Sequence, residues 1–192
     1  MGTGFNRYTA ADVRDLIAEY PLAWVTAPGG AASLLPLLGE YAADGTLLRL
    51  LGHMARGNPL VSALGLVPRA TILFTGPSGY VSPDHAGKRD WGPTWNFVEL
   101  AITADLVFLP EATGEALDTL VDAMEHGRWT SAELGARYDG MAAAVIAFRA
   151  HVVSMNGRFK LGQDESRPVF ESIVRRHPDA ALVRWMQRFD RP

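Results

Sequence analysis

The apolar positions of this chain fall into short runs punctuated by glycine and proline, and only a few stretches carry a helical period. Residues 9–20, TAADVRDLIAEY, place Val13, Leu16, Ile17 and Tyr20 on one helix face, with Thr9 and Asp12 spaced close to a capping box and Pro21 as the stop. LAWVT (22–26) reads as a strand, APGG (27–30) as a turn and AASLLPLL (31–38) as the returning strand. Pro36 is expected at an edge or a bulge, because it cannot donate to a ladder. TLLRLLGH (46–53) is a third strand, and NPLVSALG (58–65) a short helix capped by Asn58 with Pro59 in its first turn. ATILFTG (70–76) and SGYVSP (78–83) read as two strands, DHAGKRDWG (84–92) as a polar loop, and TWNFVELAITADLVFL (94–109) as one long strand or a bent pair.

The pattern then changes. In 110–127, Leu117, Leu120, Val121 and Met124 share a helix face, and SAELGARYDGM (131–141) is helix or loop. AAAVIAFRAHVVSM (142–155) leans towards a strand by its Val, Ile and Phe content. NGRFKLGQD (156–164) reads as a turn followed by a short extended piece, and two helices close the chain over 165–189. Several short strands with Gly/Pro turns and peripheral helices predict an α+β, mainly β fold, a small barrel rather than alternating βαβ units. The expected organisation is a single domain, 1–192, with a helical insertion at 110–141.

Composition narrows the function classes. The 192 residues are 48% hydrophobic and 20% charged, ordinary for a soluble globular protein, and the formal net charge of −3 argues against broad electrostatic binding of nucleic acid. No cysteine is present, which excludes disulfides, thiolate metal sites and cysteine nucleophiles. The N-terminus lacks a basic segment followed by an apolar core, and the longest apolar run, MAAAVIAF (141–148), is too short to span a bilayer, so a cytoplasmic protein is expected. Lys88 and Lys160 are the only lysines beside many arginines. There is no GxGxxG, no P-loop, no GxSxG elbow and no HExxH.

Four constellations remain. GHMARGNPL (52–60) sets His53, Arg56 and Asn58 between a strand and a helix. Arg56 offers a fork for phosphate or carboxylate, and His53 can bond a phosphate or ligate iron. The alternative is a core histidine, a surface arginine and a helix cap. GPTWNF (92–97) supplies Trp95 as a flat plate and Asn96 as an amide for a planar ligand, or else a core aromatic and a turn residue. In GRFKLGQD (157–164) an extended backbone puts Arg158 and Lys160 on one face, suited to an anion, with Gln163 as amide partner. A solvated turn is the other reading. SGYVSPDHAGKRDWG (78–92), with Tyr80, Asp84, His85, Lys88, Arg89 and Trp91, is either a substrate-contacting or an ordinary exposed loop.

LLPLL, LLGHMARGNP, LFTGPSGYVSP, PTWNF, MEHGRW and GRFKLGQD occur in the order found in PaiB-type proteins, described as FMN-binding negative transcriptional regulators. The resemblance covers the chain from about Tyr20 to the helix after Gln163. It departs from the family pattern at Leu34, at Ser78 and Gly79, and at Gly162 and Asp164. It implies a split β-barrel of the FMN-binding type, a homodimer with cofactor sites at the subunit interface, and no membrane. FMN would draw on Arg56, Asn58 and Lys160 for its phosphate, with Trp95 and Asn96 at its ring and Arg158 and Gln163 nearby. The family is also similar to the haem b-dependent piperazate synthases, which form an N–N bond from N5-hydroxyornithine. In that reading His53 is the axial ligand, and Arg158, Lys160 and Asp164 face the substrate, Lys160 and Asp164 as catalytic groups. A DNA-binding negative regulator is the third reading. It rests on the basic C-terminal stretch SIVRRHPDAALVRWMQRF, against the acidic balance and the lack of a DNA-reading motif.

Overall fold

The structure, a computed structural model, describes residues 4–190. Six strands close a barrel in the order β1-β2-β3-β6-β5-β4. They are β1 (Leu22–Thr26), β2 (Ala32–Tyr41), β3 (Leu47–Ala55), β4 (Arg69–Val81), β5 (Thr94–Leu109) and β6 (Val145–Lys160). β1 runs antiparallel to β2 and β4, and β3 antiparallel to β2 and β6. The helices are α1 (Ala10–Glu19), α2 (Pro59–Leu66), α3 (Pro83–Ala86), α4 (Thr113–Glu125), α5 (Arg137–Ala143), α6 (Arg167–Arg176) and α7 (Ala180–Arg188). The α+β, mainly β barrel expected from the pattern is the fold observed. No helix among the described residues is long and apolar enough to cross a membrane.

The chain divides into two compact units. The first comprises Ala10–Phe74 and Ala101–Met155. Its core is built by strand alternation: Leu37, Leu50, Met54, Ile72, Ile102 and Phe148 are sealed from solvent. Full burial of one such side chain contributes about 1.5–3 kcal/mol. Gly52 lies opposite both Leu37 and Phe148, and a Cβ there would come within 2.5 Å of one and 2.8 Å of the other. α1 buries Val13, Leu16 and Ile17, the face its period predicts. The second unit comprises the chain through Thr9, Thr75–Leu100 and everything from Asn156 on. Its centre is aromatic: Phe159 stacks on Tyr8 and Phe189 at centroid distances of 5.1 and 5.0 Å, with Trp185 alongside. Asp179 caps α7 by accepting from the Ala181 and Leu182 N–H groups. Ser172 Oγ and Arg176 donate to the carbonyls of His85 and Asp84, tying α6 to α3.

Several local expectations change. The two strands expected over 70–83 are one strand, β4. Its buried positions are Ala70, Ile72 and Phe74, then Pro77 and Val81, so the inward phase flips from even to odd at Thr75–Gly76 without ending the strand. The turn expected at Asn156–Gly157 is likewise absent. β6 runs through it, its inward positions shifting from Ile146, Phe148 and Ala150 to Gly157 and Phe159. Gly and Pro mark a change of face here, not a break. Pro36 is not on an edge, since β2 lies between β1 and β3. It pairs with Leu22 at the last β1 position and precedes Leu37, the first paired with β3, so its missing N–H falls where one ladder hands over to the other. Within 84–92 the loop contains α3, closed by a Ser82–His85 capping box and Gly87 at φ 68°. Residues 131–141 resolve into a 3-10 turn (Ser131–Leu134) and most of α5, and 94–109 is a single strand.

Candidate functional site

His53 is built into β3 on the side of the strand opposite Met54, which points into the core. On that outer side α4 covers the strand: Ala116 packs with Leu51 and Ala147, and the Ala147 N–H donates to Thr113 Oγ1 at 3.3 Å. His53, directly opposite Ala147, is the next position along the row. Here the cover lifts into an open cleft of about 210 Å³. Its lining is His53 and Val145 from the barrel, Leu117 and Val121 from α4, and Trp129, Ser131, Leu134, Tyr138, Met141 and Ala142 from the segment that follows. Among the described residues no Lys, Arg, Asp or Glu lines it.

His53 makes no hydrogen bond among the described residues. Nδ1 is sealed from solvent without a partner, and Nε2 is the ring nitrogen left accessible. Burial pushes the imidazole below its ordinary 6.5, because the charged form is poorly solvated there. The neutral form of an imidazole is the one that can ligate a metal or haem iron. The remaining polar groups belong to the helical segment. Ser131 Oγ donates to Asp118 Oδ1 at 2.5 Å, and Tyr138 Oη lies 3.3 Å from the Gly114 carbonyl and 3.4 Å from Asp118 Oδ1. Burial and the Asp118 carboxylate raise the Tyr138 phenol.

The other two residues of GHMARGNPL have structural duties. Asn58 caps α2, its Oδ1 accepting from the Leu60 N–H at 2.9 Å, and its Nδ2 donates to Ser33 Oγ. Arg56 uses its backbone N–H on the Ala144 carbonyl and its Nε on the Ala143 carbonyl. That anchors an exposed guanidinium beside Ala142, a wall of the cleft.

The remaining sequence-derived candidates lie in the second unit and are described there. Arg158 and Lys160 do share a face, with Phe159 buried between them on the other side. Arg158 sits over the Phe5 ring at 5.3 Å. Lys160 Nζ donates to Thr94 Oγ1 and to the Trp95 carbonyl. Trp95 is exposed, while Asn96 is buried with Nδ2 3.5 Å from Met186 Sδ. Gln163 braces the end of β6, accepting from the Leu161 N–H and donating to the Phe159 carbonyl. Asp164 is exposed in the following turn. Among the described residues no cluster of three or more His, Asp or Glu could hold a metal ion.

Sequence reasoning singled out His53 but not most of the walls of its cleft. Leu117 and Val121 were legible as a helix face and Trp129 as part of MEHGRW. Leu134, Tyr138 and Met141 carried no periodic signal, because they fall in a 3-10 turn and a helix of two turns.

Comparison with known proteins agrees with this architecture. The family described as "Putative FMN-binding domain" matches residues 2–154. Among solved structures, the chain resembles a flavocytochrome from Azotobacter vinelandii (18% identity, TM-score 0.61, 80% of this chain and 68% of that one). It also resembles an FAD- and haem-binding protein from Mycobacterium smegmatis (20%, 0.60, 80% and 72%). A third is a putative 5-nitroimidazole antibiotic resistance protein from Bacteroides thetaiotaomicron (15%, 0.55, 79% and 84%). At these identities the likeness shows the shared barrel fold. No curated protein matches the chain.

Proposed function

This chain belongs to the FMN-binding domain family, and we propose that the planar cofactor of its His53 cleft is haem b, with His53 as the residue that would ligate its iron. The observation that carries this reading is the lining: one neutral imidazole with an accessible Nε2, among apolar walls and with no charged side chain. A haem is a wide apolar plate with its two anionic groups on one edge. Leu117, Val121, Leu134, Met141 and Val145 suit the plate, and Arg56, anchored beside Ala142, is the cation for a propionate. A flavin ring would have to meet its hydrogen-bonding edge with Ser131, Tyr138 and His53 alone, and Ser131 and Tyr138 already bond Asp118.

Ligation through Nε2 fixes the ring proton on Nδ1, which has no acceptor. Ligating histidines ordinarily donate that proton, which makes them better ligands. Here the iron bond would lack that support. Bound haem would supply redox and N–O bond chemistry. The chain's own residues hold the group, exclude water through the apolar walls and keep the imidazole neutral.

FMN is the second reading, supported by the family. The purified protein's absorption spectrum separates the two. A Soret band that shifts or disappears in His53→Ala is expected. Flavin bands with no Soret band, or a Soret band unchanged in that variant, would overturn the haem assignment. If haem binds, N5-hydroxyornithine is the first substrate to offer, and formation of its cyclic N–N product extends the reading to catalysis.

A further inference from the structure

The cleft of about 210 Å³ at His53 is smaller than the ~300–1,000 Å³ that encloses a drug-sized ligand, so a planar cofactor enters it only if a wall yields. The barrel side is fixed, since His53 and Val145 stand in β3 and β6. The other side is the segment 129–142, and it is held loosely. Neither its 3-10 turn nor α5 contains a buried residue. Both ends of the segment are anchored. Arg128 closes the end of α4, its Nε and Nη2 donating to the Glu125 and Met124 carbonyls at 2.9 and 3.3 Å. Past α5, Arg56 donates to the Ala143 and Ala144 carbonyls at 2.9 and 3.0 Å. Just before the first anchor the backbone turns through His126 and Gly127, at φ 51° and 78°, element-terminal positions of the kind that act as hinges. Between the anchors, among the described residues, the hydrogen bonds that leave the segment come from two hydroxyls and all reach α4. Ser131 Oγ donates to Asp118, and Tyr138 Oη meets Asp118 and the Gly114 carbonyl. Asp118 is itself exposed. Few buried contacts and solvent-exposed bonds are the marks of a segment that opens locally.

We propose that 129–142 is a movable wall of the His53 cleft, that Asp118 is the positioning residue that pins it shut, and that it opens to admit a planar cofactor. The inference rests on that cleft being the cofactor site. Asp118 does not line the cleft and acts through Ser131 and Tyr138, which do. With the pin made, Leu134, Tyr138 and Met141 enclose the cleft together with Leu117 and Val121 of α4. With it broken, the segment keeps its internal ties. These are the Thr130–Glu133 capping box and the Tyr138 N–H on the Gly135 carbonyl at 3.1 Å. It therefore swings between its two anchors as one piece, without unfolding.

Hydrogen exchange of the cofactor-free full chain, read by mass spectrometry, reports on the wall directly. The amides of 131–143 are expected to exchange faster than those of β3 and β6, yet slower than unstructured peptide. Asp118→Ala places a good helix former at an exposed helical position. It should speed exchange in 131–143 about tenfold, the loss expected of hydrogen bonds to a charged group, and leave β3 and β6 unchanged. Asp118→Asn keeps an acceptor for both hydroxyls and should retain most of the protection, which separates a lost pin from a lost fold. Stopped-flow mixing with haemin, followed at the Soret band, then tests the gate. Asp118→Ala should speed both uptake and loss of haem, where a merely structural contact would speed loss alone. The proposal is overturned if 131–143 exchanges as slowly as the barrel strands, if Asp118→Ala leaves that exchange unchanged, or if haem uptake is no faster in that variant. A native chain that takes up no haemin sinks the cofactor reading instead, and the exchange rates alone then decide whether Asp118 pins a movable wall.

Discussion

His53 and His177 are both half-buried, and they are spent differently. In the second unit, His177 Nδ1 accepts from the Asp179 N–H and Nε2 meets the Tyr80 carbonyl, both at 3.2 Å. Each ring nitrogen pairs with a backbone group, one at the turn from α6 to α7 and one on β4. In the first unit His53 closes nothing: Nδ1 is buried unpaired, and the ring faces a cleft. A half-buried histidine that completes a backbone network is part of the fold. One that the fold leaves unsatisfied, at a cost of about 1–3 kcal/mol, is kept for something else. The same contrast separates Asn58, spent on a cap, from Lys160, held in place but electrically unspent.

The largest effects belong to residues on the structural side of that contrast. Phe148 in the barrel and Phe159 in the aromatic centre are both sealed from solvent. Phe→Ala at either should cost about 3–5 kcal/mol, read as a drop in the urea midpoint at constant slope. If either loss is below about 1 kcal/mol, the assignment of that ring to a packed core is wrong. Next is His177→Leu. It removes the bonds to the Asp179 N–H and the Tyr80 carbonyl, and about 1–2 kcal/mol is expected. Asn58→Ala removes a helix cap and the Ser33 contact and should cost about 1 kcal/mol, with the cofactor spectrum unchanged. A spectral change there would move Asn58 from cap to site.

What could be read from the sequence follows the same division. α1 was legible by its helical period, β1, β2 and β3 as apolar runs bounded by Gly and Pro turns, and α2 because Asn58-Pro59 is a start signal with a mechanism. β4 and β6 were misread at Gly76–Pro77 and Asn156–Gly157. There the inward phase slips by one residue, so alternation stops locally although the ladder continues. His53 stood out because a polar segment ended an apolar strand. Its isolation did not, since no residue pattern records that a ring nitrogen lacks a partner. Nor could spacing reveal that the segment after α4 walls the cleft. Its contacts are set by tertiary packing over 50 residues away in sequence from β3.

The smallest expected change is the one that bears most directly on the contrast. His53→Leu replaces an unpaired buried ring with an apolar side chain among apolar walls. Stability near pH 8 should therefore be unchanged or rise by up to about 1 kcal/mol, where His177→Leu loses stability. The pH dependence sharpens the point. Burial holds the folded imidazole below its ordinary 6.5, so between the two values the unfolded chain binds the proton and the folded chain does not. Stability is then fully present above the unfolded value, falls as pH drops below it, and stops falling once the folded ring also protonates. His53→Leu removes that component. Urea midpoints at pH 8 and 5.5 should differ less for the variant than for the native chain. If the two chains lose stability equally on acidification, His53 is not the buried neutral ring that the cleft requires. A Soret band abolished in this same fully stable variant would show that the fold keeps the unpaired ring for binding at the expense of stability.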